Sequence, residues 1–248
     1  MPYADNRGTR IYYEVHGAGE PLVLLHGFAS SGRQWQMAGY VDGLKEAYRL
    51  ILVDARGHGR SDKPHEAAAY ALENRLDDIR AVLAELQLSR AHFLAYSMGG
   101  WLAFGMAVHD PHLVASLMIG GAHPYADSLA MFAGVGGAGP DAFIAALESF
   151  IGETLSREAR LFILQNDLAA LAAAANDRNG YAAQLARIAA PLMLFVGDRD
   201  QRLPLVQKAD RELGAGKLLI LPGANHASAL FAAHILLPEI RNFLHQHR

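Results

Sequence analysis

The stretch Ala95-Tyr96-Ser97-Met98-Gly99-Gly100 decides how this chain is read. It follows an apolar run, Ala91-His92-Phe93-Leu94-Ala95, and opens a helical segment from Trp101 to Val108. A strand, a tight turn and a helix in that order put the serine at the tip of a turn with a strained backbone. Strand and helix pass close together there, so the residues two before and two after the serine must be small. Gly99 meets that need, and Ala95 adds only a methyl group. The helix directs its N-terminus at the serine, where its dipole and unpaired N–H groups favour negative charge. Serine in a strand–helix turn is common without any chemistry, so the remaining sequence has to supply partners for it.

Working outward, the same alternation recurs along the chain. Ile11–Val15 reads as an early strand ended by the turn His16-Gly17-Ala18-Gly19. Pro21–Leu25, Leu50–Val53, Leu113–Ile119, Leu192–Val196 and Lys217–Leu221 are further apolar runs. Continuous rather than alternating apolarity marks strands buried on both faces. Between them lie amphipathic segments. Leu76, Ile79, Val82, Leu83 and Leu86 share one helical face, with Asp77, Asp78, Arg80 and Glu85 opposite. This pattern predicts an α/β protein with a mostly parallel central sheet and helices on both faces. Residues 122–188 break the rhythm: Gly134–Pro140 is glycine-rich, and Phe143, Leu147, Phe150, Ile151 and then Leu161, Leu164, Leu168, Leu171 follow at helical spacing. We therefore expect a core formed by residues 1–121 and 189–248, interrupted by a small helical cap at 122–188.

Composition removes whole classes of function. Of 248 residues, 52% are hydrophobic and 19% charged, so the chain is too apolar to be disordered. Twenty-five acids against 22 bases, with no basic cluster, argue against nucleic acid as the main partner. There is no Cys, which excludes disulfides, zinc-thiolate sites and a thiol nucleophile. The 12 His are scattered rather than clustered, so neither a metal nor an organic cofactor is expected. Met1–Arg7 lacks an apolar signal core, and no apolar run approaches the roughly 18 residues of a membrane span. These features predict a cytoplasmic protein. No feature of the sequence specifies an oligomer.

Two further stretches bear on Ser97. His26-Gly27-Phe28 follows the run ending at Leu25, and a glycine-containing loop there can present a backbone N–H from Phe28 beside that of Met98. Two such donors are what a developing oxyanion needs. His26 itself reads as a brace for the loop. A serine nucleophile also needs a base, and the base an orienting acid, in the chain order Ser, acid, His for this topology. Asp198 and Asp200 both sit just after the run ending at Val196. Downstream of them are His226, His234, His245 and His247, of which only His226 lies in a loop leaving the last strand, Pro222-Gly223-Ala224-Asn225.

Taken together, His26-Gly27, Asp54-Ala55-Arg56-Gly57-His58-Gly59-Arg60-Ser61, Ala95–Gly100, Gly197-Asp198-Arg199-Asp200 and Gly223-Ala224-Asn225-His226 resemble the α/β-hydrolase superfamily over nearly the full length. The resemblance implies the α/β-hydrolase fold, a Ser97, Asp200, His226 triad (the acid falling last in a G-x-x-D turn) and an oxyanion hole from Phe28 and Met98. It also implies that Asp54, Arg56 and His58 shape a loop. Dehalogenases and epoxide hydrolases of the fold carry Asp where Ser97 stands. Many C–C bond hydrolases carry Trp after the histidine, where this chain has Ala227.

The expected activity is therefore hydrolysis of a carboxylic ester through an acyl-enzyme, with a small-molecule ester and water as the partners. Enol-lactonase, C–C hydrolase, thioesterase and perhydrolase chemistry are the alternatives within the same triad; a non-catalytic or single-turnover binding protein is the alternative outside enzymes. Phe28, Trp35, Met98, His123, Tyr125, Met131, Phe132, Phe143 and Leu203 are the candidate lining residues. They predict a small or medium substrate with an apolar acyl or aryl group.

Overall fold

A computed structural model describes residues 2–132, 134–214 and 216–247. Eight strands form one sheet: β1 (Tyr3–Asn6), β2 (Thr9–His16), β3 (Glu20–Leu25), β4 (Tyr48–Val53), β5 (Ala91–Tyr96), β6 (Val114–Gly120), β7 (Leu192–Gly197) and β8 (Gly216–Leu221). Their order is β1-β2-β4-β3-β5-β6-β7-β8. β1 and β2 are antiparallel to each other and β2 is antiparallel to β4, whereas the other pairs are parallel. The helices are α1 (Arg33–Met37), α2 (Tyr40–Leu44), α3 (Leu72–Glu85), α4 (Met98–His109), α5 (Pro140–Ile151), α6 (Arg157–Ile163), α7 (Leu168–Ala174), α8 (Leu203–Leu213), α9 (His226–Leu230) and α10 (Ala233–Gln246).

The continuous apolarity of the strands has the physical cause inferred for it. In β3, Val23 and Leu25 pack into a core with α3, α4 and α8, while Leu22 and Leu24 pack into a second core with α2 and α10 on the other face. α4 shows no polar face because it is buried along nearly its whole length. The sequence reading missed β1, a short strand of mixed polarity that pairs with β2 through the turn at Arg7-Gly8. It also started β6 one residue early: Leu113 closes a single 3-10 turn instead. Leu161 and Leu164, read as part of an apolar face, are exposed; α6 stops at Ile163 and Asp167 caps a new helix, α7, so the helical spacing does not run on as one face.

α5, α6 and α7 all lie between β6 and β7. The sheet reverses its direction of growth at β3, with β4 on one side and β5 on the other. A crevice forms at the carboxyl ends of strands at such a switch point. Leu25, which leads into Gly27-Phe28, and Tyr96, which leads into Ser97, end the two strands that meet there. Among the described residues, no helix is long and apolar enough to cross a membrane.

Candidate active site

Ser97 sits between β5 and α4 with φ 52° and ψ −112°, a left-handed conformation that a side chain rarely adopts. Such strain costs on the order of 1–3 kcal/mol and persists only where the surroundings enforce it. Here they do. The Ser97 N–H donates to Gly120 O (2.9 Å) and the Gly99 N–H to His26 O (3.0 Å), which holds the elbow between β6 and the loop after β3. A side chain on Gly99 would come within 2.2 Å of Leu25 O, so only glycine permits this approach. Ala95, by contrast, is accommodated fully buried.

His226 opens α9, a helix fixed by a reciprocal cap between Asn225 and Ser228. Its Nε2 lies 3.1 Å from Ser97 Oγ and its Nδ1 2.6 Å from Asp200 Oδ2. The carboxylate places the ring proton on Nδ1, leaving the Nε2 lone pair to accept from the serine hydroxyl. Asp200 Oδ1 accepts the Arg202 N–H at 2.9 Å. Burial alone would raise the Asp200 pKa, but the hydrogen bonds and charge of His226 and the Arg202 contacts outweigh it and hold it below the usual carboxylate value. Burial lowers His226 below its ordinary pKa despite the pull of Asp200, so the imidazole is neutral at pH 7. Asp198, by contrast, is exposed. The turn geometry separates the two candidates: Asp200 points under the histidine and Asp198 into solvent.

The Met98 N–H is the first of α4 and has no carbonyl a turn back within the helix. Among the described residues, neither it nor the Phe28 N–H has an acceptor. The loop that carries Phe28 is braced by His26, whose Nδ1–H donates to Gly27 O (2.7 Å) and whose Nε2 accepts the Ala55 N–H (3.0 Å). Burial pushes the His26 and His58 pKa values down, so both are neutral framework residues. Asp54 Oδ1 and Oδ2 take the Gly32 and Arg60 N–H groups, and Arg56 forms a buried ion pair with Asp78 (2.6 Å).

Beside Ser97 and His226 lies an apolar cavity of about 390 Å³, within the usual range for small-molecule pockets. Its walls include Phe28, Leu147, Phe150, Phe162, Ile163, Leu230 and Phe231. This corrects much of the expected lining. Trp35 is fully buried in the core beneath α1, stacked edge-on against Tyr40, and does not reach the cavity. The Met98 side chain points away into the protein, where its Sδ meets Arg75. Met131 is exposed, and Leu203 packs on the α8 side of the sheet. Phe132 and Phe143 lie one layer back, supporting Phe28 with ring centroids at 5.2 and 6.2 Å. His123 and Tyr125 border a separate small recess that also reaches Ser97, together with Trp101, Arg178 and Arg202.

The sequence reading also missed Glu153. It follows α5 and accepts the Ala227 N–H at 3.1 Å and the Asn225 side-chain amide, tying the end of α5 to the His226 loop. A lone Glu among apolar helices gives no local signal of this role. Among the described residues, no group of three or more His, Cys, Asp or Glu is arranged to hold a metal ion.

Known proteins bear this architecture out. The model of the alpha/beta hydrolase family matches residues 22–236. A putative non-heme chloroperoxidase from Synechocystis is 29% identical, covering 98% of this chain and all of that protein. A putative 2-succinyl-6-hydroxy-2,4-cyclohexadiene-1-carboxylate synthase from Bacillus subtilis is 33% identical over 43% of this chain, which spans only 38% of that relative. Among solved structures, an esterase from Rhodococcus superposes with a TM-score of 0.84 at 26% identity, over 99% of this chain and 98% of that one. The chain belongs to the alpha/beta hydrolase family. It has that family's mostly parallel eight-stranded sheet, and the family is one of hydrolase enzymes.

Proposed function

We propose that the protein is a serine hydrolase that cleaves a carboxylic ester through an acyl-enzyme, with residues 122–188 as a helical cap over the site. The carrying observation is the relay from Ser97 Oγ to His226 Nε2 (3.1 Å) and from His226 Nδ1 to Asp200 Oδ2 (2.6 Å) beside an apolar cavity. Ser97 attacks the carbonyl carbon as His226 takes its proton. Asp200 keeps the imidazole in the accepting tautomer and stabilises the imidazolium. The Met98 and Phe28 N–H groups receive the oxyanion. His226 returns its proton to the leaving alcohol and then draws one from water, which releases the acid and regenerates Ser97. The apolar walls suit a small or medium acyl or aryl group, and the reaction belongs in the cytoplasm.

The test is turnover of short esters beside matched lactones, thioesters and vinylogous diketones, in the wild type and in Ser97→Ala. Ester turnover that exceeds the other classes and vanishes in Ser97→Ala is the expected result. Ester turnover that survives in Ser97→Ala, or a preference for another class, contradicts the proposal.

A further inference from the structure

The recess that meets Ser97 differs from the apolar cavity in its charge. Arg178 enters it from the end of the inserted segment, where its backbone pairs with that of Asp127 in both directions (2.9 and 3.1 Å). The residue is only 6% exposed. Among the described residues, none of its N–H donors has an acceptor and no carboxylate lies within ion-pair distance. Asp127, which also lines the recess, attracts it through space without a hydrogen bond or ion pair to it. Trp101 presents a ring face 5.6 Å away, and Arg75 and Arg202 are cations themselves. The Asp127 carboxylate faces Arg202 at 3.9 Å, and Asp200 is committed to His226. His123 also borders the recess, and among the described residues its Nδ1 is buried with no hydrogen-bond acceptor or donor in reach. Burial and the two neighbouring cations push the Arg178 pKa down to about 9, which still leaves it protonated at pH 7.

A buried guanidinium that lacks a hydrogen-bonded counter-charge is unfavourable, because burial strips hydration that a ring face and a distant carboxylate replace only in part. A ligand that brings the counter-charge removes that cost, and a guanidinium matches a carboxylate in shape as well as in charge. We propose that this recess binds a carboxylate of the substrate, so that the ester cleaved at Ser97 carries an anionic group on one side and an apolar group in the larger cavity on the other. The inference rests on Ser97 as the nucleophile. The recess holds about 10 Å³, room for one water-sized group. One carboxylate oxygen enters it, and the carboxylate therefore stands a few bonds from the scissile carbonyl. The apolar acyl or aryl group expected from the sequence is thereby joined by an anionic group on the other side of the ester.

Binding and turnover test this separately. In Ser97→Ala, calorimetry compares the hemiamide N-propylglutaramate with neutral N-propylbutanamide. The expected result is tighter binding of the acid by about tenfold or more, as charge-assisted hydrogen bonds give, and loss of that preference when Arg178→Met is added. Equal binding, no binding of either compound, or a preference that survives Arg178→Met overturns the proposal. Should Arg178→Met fail to fold, Arg178→Lys replaces it. That variant keeps the charge but loses the fork, and it must cut the preference at least threefold, roughly half of the tenfold free energy; an unchanged preference overturns the proposal.

In the wild type, monopropyl glutarate is compared with propyl butanoate as substrates. Neutral-ester hydrolysis without preference for the acid overturns the recess but leaves the hydrolase reading intact. Acid-selective binding with no hydrolysis of either ester supports the recess and overturns the hydrolase reading.

Discussion

Asp200→Asn isolates what the buried carboxylate contributes. At present its two oxygens do different work: Oδ1 accepts the Arg202 N–H at 2.9 Å and Oδ2 accepts from His226 Nδ1 at 2.6 Å. An amide has one oxygen. If that oxygen stays on the Arg202 N–H, the NH₂ group faces Nδ1, makes it an acceptor and moves the ring proton to Nε2. His226 can then no longer accept from Ser97. If the amide flips, its NH₂ group opposes the Arg202 N–H, donor against donor, at a buried position. Loss of the correct tautomer in such a triad costs about 10⁴ in kcat, or about 5.4 kcal/mol of barrier. Steady-state kinetics on a short 4-nitrophenyl ester measures this, with circular dichroism confirming the fold. Asp198→Asn is the control: its side chain is exposed, and kcat should stay within about twofold, as for surface substitutions generally. A loss below about tenfold for Asp200→Asn, or a large loss confined to Asp198→Asn, refutes the tautomer argument.

Other perturbations follow from the same geometry. Gly99→Ala gains up to about 1 kcal/mol of helix propensity but forces a methyl group to within 2.2 Å of Leu25 O. Overpacking against backbone costs about 1–3 kcal/mol or more, so chemical denaturation should show net destabilisation; Gly137→Ala, with nothing within 4 Å, should be close to neutral. Asp78→Ala strands the buried Arg56 guanidinium and removes an acceptor of Asn6. Breaking such a pair costs about 3–5 kcal/mol, which a urea titration reads directly. In the pH profile of kcat/KM, activity requires neutral His226, whose pKa lies below 6.5 in the fold. Activity should therefore be constant through pH 7–8, about the neutral range for such a base, and fall as pH drops through that lowered value. A midpoint at or above 6.5 contradicts the burial argument. Stability should move in the same direction. His26, His58 and His226 all have lowered pKa values, so below pH about 6.5 the unfolded chain binds more protons than the folded one and stability falls with acid.

How far the sequence could be read depends on the range of the interactions involved. The elbow was legible because its requirements are local: a buried strand, a serine, a small residue two positions on and an apolar helix, all within Ala91–Val108. His226 was legible because only one histidine follows the last strand in a loop. Asp200 was not separable from Asp198 on position alone; only the direction of its side chain in the turn distinguishes them. β1 escaped because a four-residue edge strand buries only alternate residues. The cavity lining was largely illegible, since it depends on how α5 and α6 fold back over the sheet. Phe162 and Leu161 are neighbours of similar polarity, yet one lines the cavity and the other is exposed. Trp35 looks like a pocket residue but faces the core, because α1 turns it against Tyr40. Nothing in the chain neighbours of Arg178 and Arg202 signals that both are buried.

The central claim is that Ser97 is a nucleophile activated by His226. It is tested most directly by reaction with a fluorophosphonate probe, followed by intact-mass measurement and peptide mapping. Stoichiometric labelling of the peptide containing Ser97, abolished in Ser97→Ala and greatly slowed in His226→Ala, is the expected result. A folded wild-type protein that takes up no label, or that is labelled at a different serine, would contradict the account.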